Sequence, residues 1–166
     1  MAGLEDLYRE IILDHYRSPR NRGELPESPA HRVEGFNPLC GDEVVVYVQV
    51  EDGRLADIRI GGQGCSISQS SASLMSAAVK GKSLEEIREL TNTFKAMMSI
   101  HEARLGDGDG DGTAEAEEPV DLTELGELAA LQGVVKFPVR IKCATLGWNT
   151  LAQGLEEAAA EARTDA

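Results

Sequence analysis

The chain has 166 residues, a formal net charge of −13, 42% hydrophobic residues and only 4% aromatic residues. This size and composition predict one domain with an aliphatic core. The negative charge argues against nucleic acid as a partner, and the lack of a long apolar run argues against a membrane. An acidic N-terminus and an odd cysteine count, three, predict a cytoplasmic protein with reduced thiols.

The first segment is predicted to be an amphipathic helix, because apolar residues recur at helical spacing from Leu4 to His15. Pro19 ends this helix, on which His15 is interpreted as structural. Arg17, Arg20 and Arg22 then form a basic cluster in an acidic protein. They either cap the helix dipole or form a docking patch for a partner.

A small antiparallel sheet is predicted next. A short edge strand lies near 31–34, and the alternating valines of Val44–Val50 indicate a strand buried mainly on one face. Asp52-Gly53 predicts a hairpin turn, from which 55–60 returns as the partner strand.

The second half of the chain is predicted to be helical. Small residues between Ser66 and Val79 indicate a closely packed helix, and Ser83–Glu86 is a capping box that opens another. Asp121 would cap a helix through Leu122–Leu131 that Gly133 ends. After Pro138 the chain is expected to run to Cys143 and then to a last helix, which carries Leu146, Leu151 and Leu155.

The three cysteines suggest a metal site. Cys40 and Asp42 share a turn shaped by Pro38 and Gly41 just before the hairpin, and Cys65 follows a glycine-rich segment just after it. The entry and exit of an antiparallel pair lie at the same end of the sheet, so Cys40 and Cys65 are expected to be neighbours. Three thiolates and one carboxylate would fill a zinc tetrahedron, and sulfur-rich ligation also suits iron–sulfur clusters. The alternatives are buried inert thiols for the cysteines and a turn or cap role for Asp42.

Six motifs in register resemble the iron–sulfur assembly family of IscU, NifU N-terminal and SufU proteins. They are Leu7-Tyr8-Arg9, Asp14-His15-Tyr16, Pro19-Arg20-Asn21, Asn37-Pro38-Leu39-Cys40-Gly41-Asp42, Gly64-Cys65-Ser66-Ile67-Ser68 and Phe137-Pro138-Val139-Arg140-Ile141-Lys142-Cys143. The resemblance implies an α+β fold, with a small antiparallel sheet of about three strands and helices packed on it. It also implies a metal held by Cys40, Asp42, Cys65 and Cys143.

Two departures select the SufU branch of this family. IscU-type scaffolds carry a His before the third cysteine where this chain has Lys142, and an acidic insertion separates Cys65 from Cys143. The resemblance then implies a zinc-bound sulfur acceptor for the PLP-dependent cysteine desulfurase SufS, which passes sulfur to downstream iron–sulfur assembly proteins. The alternatives are a scaffold that assembles and transfers a [2Fe-2S] cluster at the same ligands, and a purely structural zinc site.

Cys40 is the predicted sulfur acceptor, because its turn is the most mobile of the three cysteine neighbourhoods and a persulfide must reach a thiolate that can leave its resting place. If all four ligands are ionised, a zinc site would carry a net charge of about −2. Arg140 and Lys142 are placed to offset this charge. Lys142 is equally well explained as a solvated side chain. The whole chain, 1–166, is interpreted as one IscU/SufU-like domain with an acidic insertion around 106–119 and a frayed tail at 157–166.

The insertion contains a second metal pattern. Asp107 to Gly112 followed by Glu118 has the spacing of an EF-hand calcium loop. We interpret it as an acidic insertion instead, because Pro119 breaks the outgoing helix that such a loop needs.

Overall fold

The protein is described by a computed structural model that covers residues 3–26, 30–38, 41–106, 125–136 and 138–164. In chain order its elements are α1 (Gly3–Arg17), β1 (His31–Asn37), β2 (Asp42–Glu51), β3 (Arg54–Gln63), α2 (Ser66–Val79), α3 (Leu84–Gly106), a 3-10 helix (Gly126–Lys136) and α4 (Pro138–Thr164). Cys40 and the segment 107–124, with its EF-hand-like pattern, lie outside the described residues.

The three strands form an antiparallel sheet in the order β1-β2-β3. The predicted hairpin turn is present: Glu51 pairs with Arg54, and both Asp52 and Gly53 have positive φ, 51° and 74°. β1 is longer than the short edge strand expected from sequence, because all its residues from His31 to Asn37 pair with β2. The predicted α+β fold is confirmed.

The helices cover one face of the sheet. Val44, Val46 and Val48 on β2 are buried there, as the alternation of the sequence predicted. α2 and α4 pack against this face and against each other. Phe94 on α3 stacks on Trp148 of α4 with ring centroids 4.7 Å apart, which extends the core beyond the sheet.

Two helix predictions need correction. The helix that Gly133 was expected to end is a 3-10 helix, which starts at Gly126 and continues through Gly133 to Lys136. Leu125, Leu128 and Leu131 recur every third residue and are buried, which suits the three residues per turn of a 3-10 helix better than the 3.6 of an α-helix.

The second correction concerns the last helix. α4 begins at Pro138 instead of after Cys143, because Pro is favourable in the first helical turn, where its missing N–H costs nothing. Cys143 therefore lies inside the helix and not on a loop that leads to it.

Among the described residues, no helix combines the length and the apolar character needed to cross a membrane.

Candidate metal centre

The candidate site lies at the end of the sheet where β2 begins and β3 ends. Asn37 pairs with Asp42 and Glu43 pairs with Gln63, so the start of β2 lies beside the segment that leads into α2. Asp42 and Cys65, 23 positions apart, are consequently in direct contact. Cys40 itself is outside the described residues, but the strand pair that flanks it closes on this same end of the sheet.

Three of the four predicted ligands converge. One donor atom each from Asp42, Cys65 and Cys143 lies within 4.8 Å of the other two. Ligand atoms at zinc–sulfur distances of about 2.3 Å in a tetrahedron are about 3.7 Å apart, so a small contraction would close these donors on one ion. Two thiols and a carboxylate are a donor set that zinc accepts, and the fourth position is left for another ligand. The residues present therefore fit the metal, and coordination by Cys40, Asp42, Cys65 and Cys143 stays a prediction.

Asp42 is fully buried, and its two carboxylate oxygens do different things. Oδ1 accepts the backbone N–H of Cys65 at 2.8 Å, and Oδ2 lies 3.6 Å from Cys65 Sγ. A buried carboxylate is costly unless it is hydrogen-bonded or paired. One oxygen thus joins β2 to α2, while the other faces the thiols.

Cys65 is the N-cap of α2. Its Sγ accepts the backbone N–H of Ser68 at 3.4 Å, so the positive end of the helix faces the sulfur. Gly64 leaves the necessary room, because a Cβ at this position would collide with Asp42 Oδ1 and lie 2.8 Å from Ser68 Oγ. The sequence predicted the position of Cys65 at the start of this helix.

Cys143 is in the second turn of α4 and is fully buried. Burial alone would suit an inert core thiol, which was the alternative interpretation of this residue. Its Sγ nevertheless belongs to the group of donors formed with Asp42 and Cys65. The helix, rather than a loop, aims this sulfur at the end of the sheet.

Arg140 lies one turn before Cys143 on α4. Its pKa is raised, first by the negative charge of Cys65 and then by a hydrogen bond to Cys143 and the charge of Cys143. The guanidinium therefore lies beside both thiols, where the sequence analysis predicted a positive charge that offsets the negative charge of the ligands. Lys142 is exposed.

His15 forms a second buried polar contact, and the sequence predicted its structural role but not its partners. His15 is 2% exposed, and its Nδ1 lies 2.7 Å from Ser73 Oγ while its Nε2 lies 3.2 Å from Glu127 Oε2. It joins α1 to α2 and to the 3-10 helix, in keeping with the structural role predicted for it. Its partners lie 58 and 112 positions away, so no local pattern could have named them.

The fold and the donor group define a small α+β protein with soft ligands gathered at one end of its sheet. The sequence profile of the NifU-like N terminal domain matches residues 7–144, and the chain belongs to this family. It is 40% identical over 154 residues to the zinc-dependent sulfurtransferase SufU of Bacillus subtilis, which covers 93% of this chain and 92% of that protein. It is 36% identical over 159 residues to the iron-sulfur cluster assembly scaffold protein IscU of Streptococcus pyogenes, covering 96% and 89%.

Solved structures agree with this assignment. A crystal structure from Fervidobacterium islandicum, described as an iron-sulfur cluster assembly scaffold protein for the SUF system, superposes with a TM-score of 0.73 at 31% identity and covers 92% of this chain and 99% of that one. The N-terminal part of a NifU-like protein from Brucella abortus has a TM-score of 0.72 at 21% identity, covering 93% and 96%, and so supports the fold alone.

Proposed function

We propose that this protein acts in iron–sulfur cluster assembly as a zinc-dependent sulfurtransfer protein, which accepts persulfide sulfur on Cys40 from a PLP-dependent cysteine desulfurase of the SufS type. The observation that carries the proposal is the convergence of Asp42, Cys65 and Cys143 at the end of the sheet where β2 begins, two positions along the chain from Cys40. The similarity to a zinc-dependent sulfurtransferase over almost the whole chain supports it.

The transfer step balances without an external oxidant or reductant. The thiolate of Cys40 attacks the outer sulfur of a persulfide carried by the desulfurase. A sulfur–sulfur bond forms on Cys40 as the bond within the donor persulfide breaks, and the donor cysteine leaves as a thiolate. Downstream iron–sulfur assembly proteins would then receive this sulfur.

The residues at the end of the sheet prepare this reaction. Cys40, Asp42, Cys65 and Cys143 would hold zinc, which keeps thiols ionised at neutral pH and does no redox chemistry of its own. Arg140, beside Cys65 and Cys143, offsets negative charge at the site and would attract an incoming persulfide anion.

A second function is a scaffold on which iron and sulfide, as cargo, are assembled into a [2Fe-2S] cluster at the same ligands. The similarity to the Streptococcus pyogenes scaffold protein over 96% of the chain favours it. Such a site would yield a protein whose cluster spectrum appears after reconstitution and passes to an apo-acceptor.

The decisive experiment incubates the zinc-loaded protein with the cognate desulfurase and cysteine, and then locates added sulfur by mass spectrometry of trapped peptides. We expect one extra sulfur atom on the peptide that contains Cys40, and none in Cys40→Ala. Sulfur on Cys65 or Cys143 with Cys40 unmodified would refute the proposal. A transferable cluster without any persulfide would establish the scaffold function instead.

A further inference from the structure

The strongest surface feature outside the metal centre is a group of cations on an acidic protein. We define the cationic strip as Arg17, Arg20, Arg22, Arg59 and Lys80. It runs from the end of α1, through the loop after it, to β3 and the end of α2. Lys80 Nζ reaches Asn21 Oδ1 at 3.4 Å, and a Cβ on Gly23 would lie 3.7 Å from Arg59 Cδ, so these elements meet in one surface.

The carboxylates in the strip do not neutralise it. Asp14 pairs with Arg20, and Asp57 pairs with both Arg59 and Lys80. Among the residues that the structure describes, Arg17 and Arg22 form no ion pair, and both are exposed. The five cations thus outnumber Asp14, Asp57 and the exposed Glu24 of the same loop, in a chain whose formal net charge is −13.

The loop that carries these cations is held rigidly on one side by α2. Arg20 N donates to Ser73 Oγ at 2.8 Å, and Asn21 Nδ2 donates to Ser76 Oγ at 3.1 Å. The single hydroxyl proton of Ser76 is shared between Ser73 O at 2.7 Å and Arg20 O at 3.2 Å. Both serines are fully buried. Surface loops are usually mobile, so buried hydroxyls that bind this one keep its backbone in one conformation and its cations in one region of the surface.

β3 holds the other side of the loop. Ile60 N donates to Asn21 O at 2.9 Å and Gly23 N donates to Ile60 O at 3.0 Å, while Asn21 adopts the left-handed conformation with φ 56°. Beyond these bonds, Arg22 Nη2 donates to Gly62 O at 3.0 Å. Gly62 pairs with Val44 and precedes Cys65 by three residues, so the strip ends next to the metal centre.

Helix capping does not account for this arrangement. Arg17 is in the last turn of α1 and would favour the negative end of its dipole. Arg22 lies beyond that helix on the edge of β3, and its guanidinium contacts a strand carbonyl. At physiological salt a charge is screened over about 8 Å, so a partner in contact with this surface meets the local cations and not the net negative charge.

We infer that the cationic strip is the docking surface for the desulfurase and that the desulfurase presents a complementary acidic surface beside its persulfide. This inference rests on the proposed function and specifies its partner's recognition surface. Docking along the strip would bring the donor sulfur to the end of the sheet, because Arg22 adjoins the segment that leads into Cys65.

The test compares the double variant Arg17→Glu/Arg22→Glu with Arg88→Glu, a charge reversal at an exposed arginine on α3 that is not part of the strip. Affinity for the cognate desulfurase is measured by biolayer interferometry at low and high salt, with zinc content and the sulfur-transfer rate at saturating desulfurase as controls. We expect the double variant to bind at least tenfold more weakly at low salt, with the difference shrinking at high salt. Its zinc content and saturated rate should equal those of the wild type. The milder Arg22→Gln should show an intermediate loss of affinity even if the double variant folds poorly.

Affinity equal to that of Arg88→Glu would overturn the inference, and so would zinc loss in Arg22→Gln, which would place Arg22 in support of the metal. Failure of the proposed function would give a different result. The wild type would then neither bind the desulfurase nor receive sulfur on Cys40, and all variants would behave like the wild type. That result would also rule out the inference.

Discussion

The backbone N–H of Cys65 donates to Asp42 Oδ1 at 2.8 Å, which joins the start of β2 to the start of α2 across 23 positions of sequence. This bond uses one oxygen of a fully buried carboxylate and leaves Oδ2 directed at the Cys65 thiol. The connection holds two predicted ligands in contact.

Asp42→Asn separates the two roles of this side chain. The amide oxygen can still accept the Cys65 N–H, but the anionic ligand and the buried charge are gone. We expect the metal-free variant to be at least as stable as the metal-free wild type, while its zinc affinity falls at least tenfold. Urea unfolding with and without zinc measures this, since a tenfold weaker Kd removes about 1.4 kcal/mol of zinc-linked stability when zinc is in excess. Equal stabilisation by zinc in both proteins would show that Asp42 is not a ligand.

Gly64→Ala tests the space that the site requires. The new Cβ would collide with Asp42 Oδ1 and crowd Ser68 Oγ, so the contact between β2 and α2 must open. We expect a loss of about 1–3 kcal/mol in the free energy of unfolding, typical of an overpacked position, and weaker retention of zinc. The matched control is Gly133→Ala, whose Cβ would meet nothing within 4 Å. Zinc retention that is the same in both variants would contradict this account of Gly64.

Arg140→Gln tests the charge beside the thiols. The charges of Cys65 and Cys143 raise the pKa of Arg140, which places its guanidinium beside both sulfurs. A neighbouring cation stabilises the thiolate that reacts with an alkylating agent. We expect the metal-free variant to be alkylated by iodoacetamide several-fold more slowly at neutral pH and low salt. High salt should reduce the difference. Lys142→Gln removes a nearby exposed charge and should have little effect, and an equal slowing in both variants would assign the effect to net charge instead.

The capping box at the start of α3 gives a pH-dependent prediction. Ser83 N donates to Glu86 Oε1 and Glu86 N donates to Ser83 Oγ, both at 3.1 Å, and these bonds lower the pKa of Glu86 from 4.5. A lowered pKa contributes stability above the unfolded value, and this contribution is lost as pH falls through the folded value.

Ser83→Ala should therefore cost about 1 kcal/mol of unfolding free energy at pH 7. Because the Ser83 hydroxyl contributes to the lowered pKa of Glu86, part of this cost should disappear as pH falls from 4.5, the unfolded value, through the lower value of the folded protein. Urea unfolding of the metal-free protein measures it without interference from zinc release. Thr93→Ala is the control, because Thr93 Oγ1 donates to Glu89 O within its own helix and does not cap the helix N-terminus. A cost for Ser83→Ala that is constant with pH would contradict the role of Glu86.

Local patterns predicted the parts of the fold that local chemistry determines. The Asp52-Gly53 turn, the alternation of β2 and the bounds of α2 at Ser66 and Val79 all follow from residues within a few positions of one another. They also predicted that the two ends of the hairpin meet, which brings Asp42 to Cys65.

The type of the helix at 126–136 and the start of α4 depend on tertiary packing and could not be predicted from local patterns. A leucine at every third position fits the period of an α-helix as well as that of a 3-10 helix over a short run, so the sequence predicts an α-helix where a 3-10 helix packs against α1 and α3. Pro138 predicts a break and therefore a loop before Cys143, whereas it is the first residue of α4. The Cys143 sulfur nevertheless lies in the donor group with Asp42 and Cys65, as the sequence predicts.

Zinc X-ray absorption spectroscopy of the purified protein counts the ligands of the bound metal directly. The structure and the sequence together predict four-coordinate zinc with three sulfurs at about 2.3 Å and one oxygen at about 2.0 Å, falling to two sulfurs in Cys143→Ser. A spectrum with only oxygen and nitrogen neighbours, or one that Cys143→Ser leaves unchanged, would contradict a shared site of Cys40, Asp42, Cys65 and Cys143.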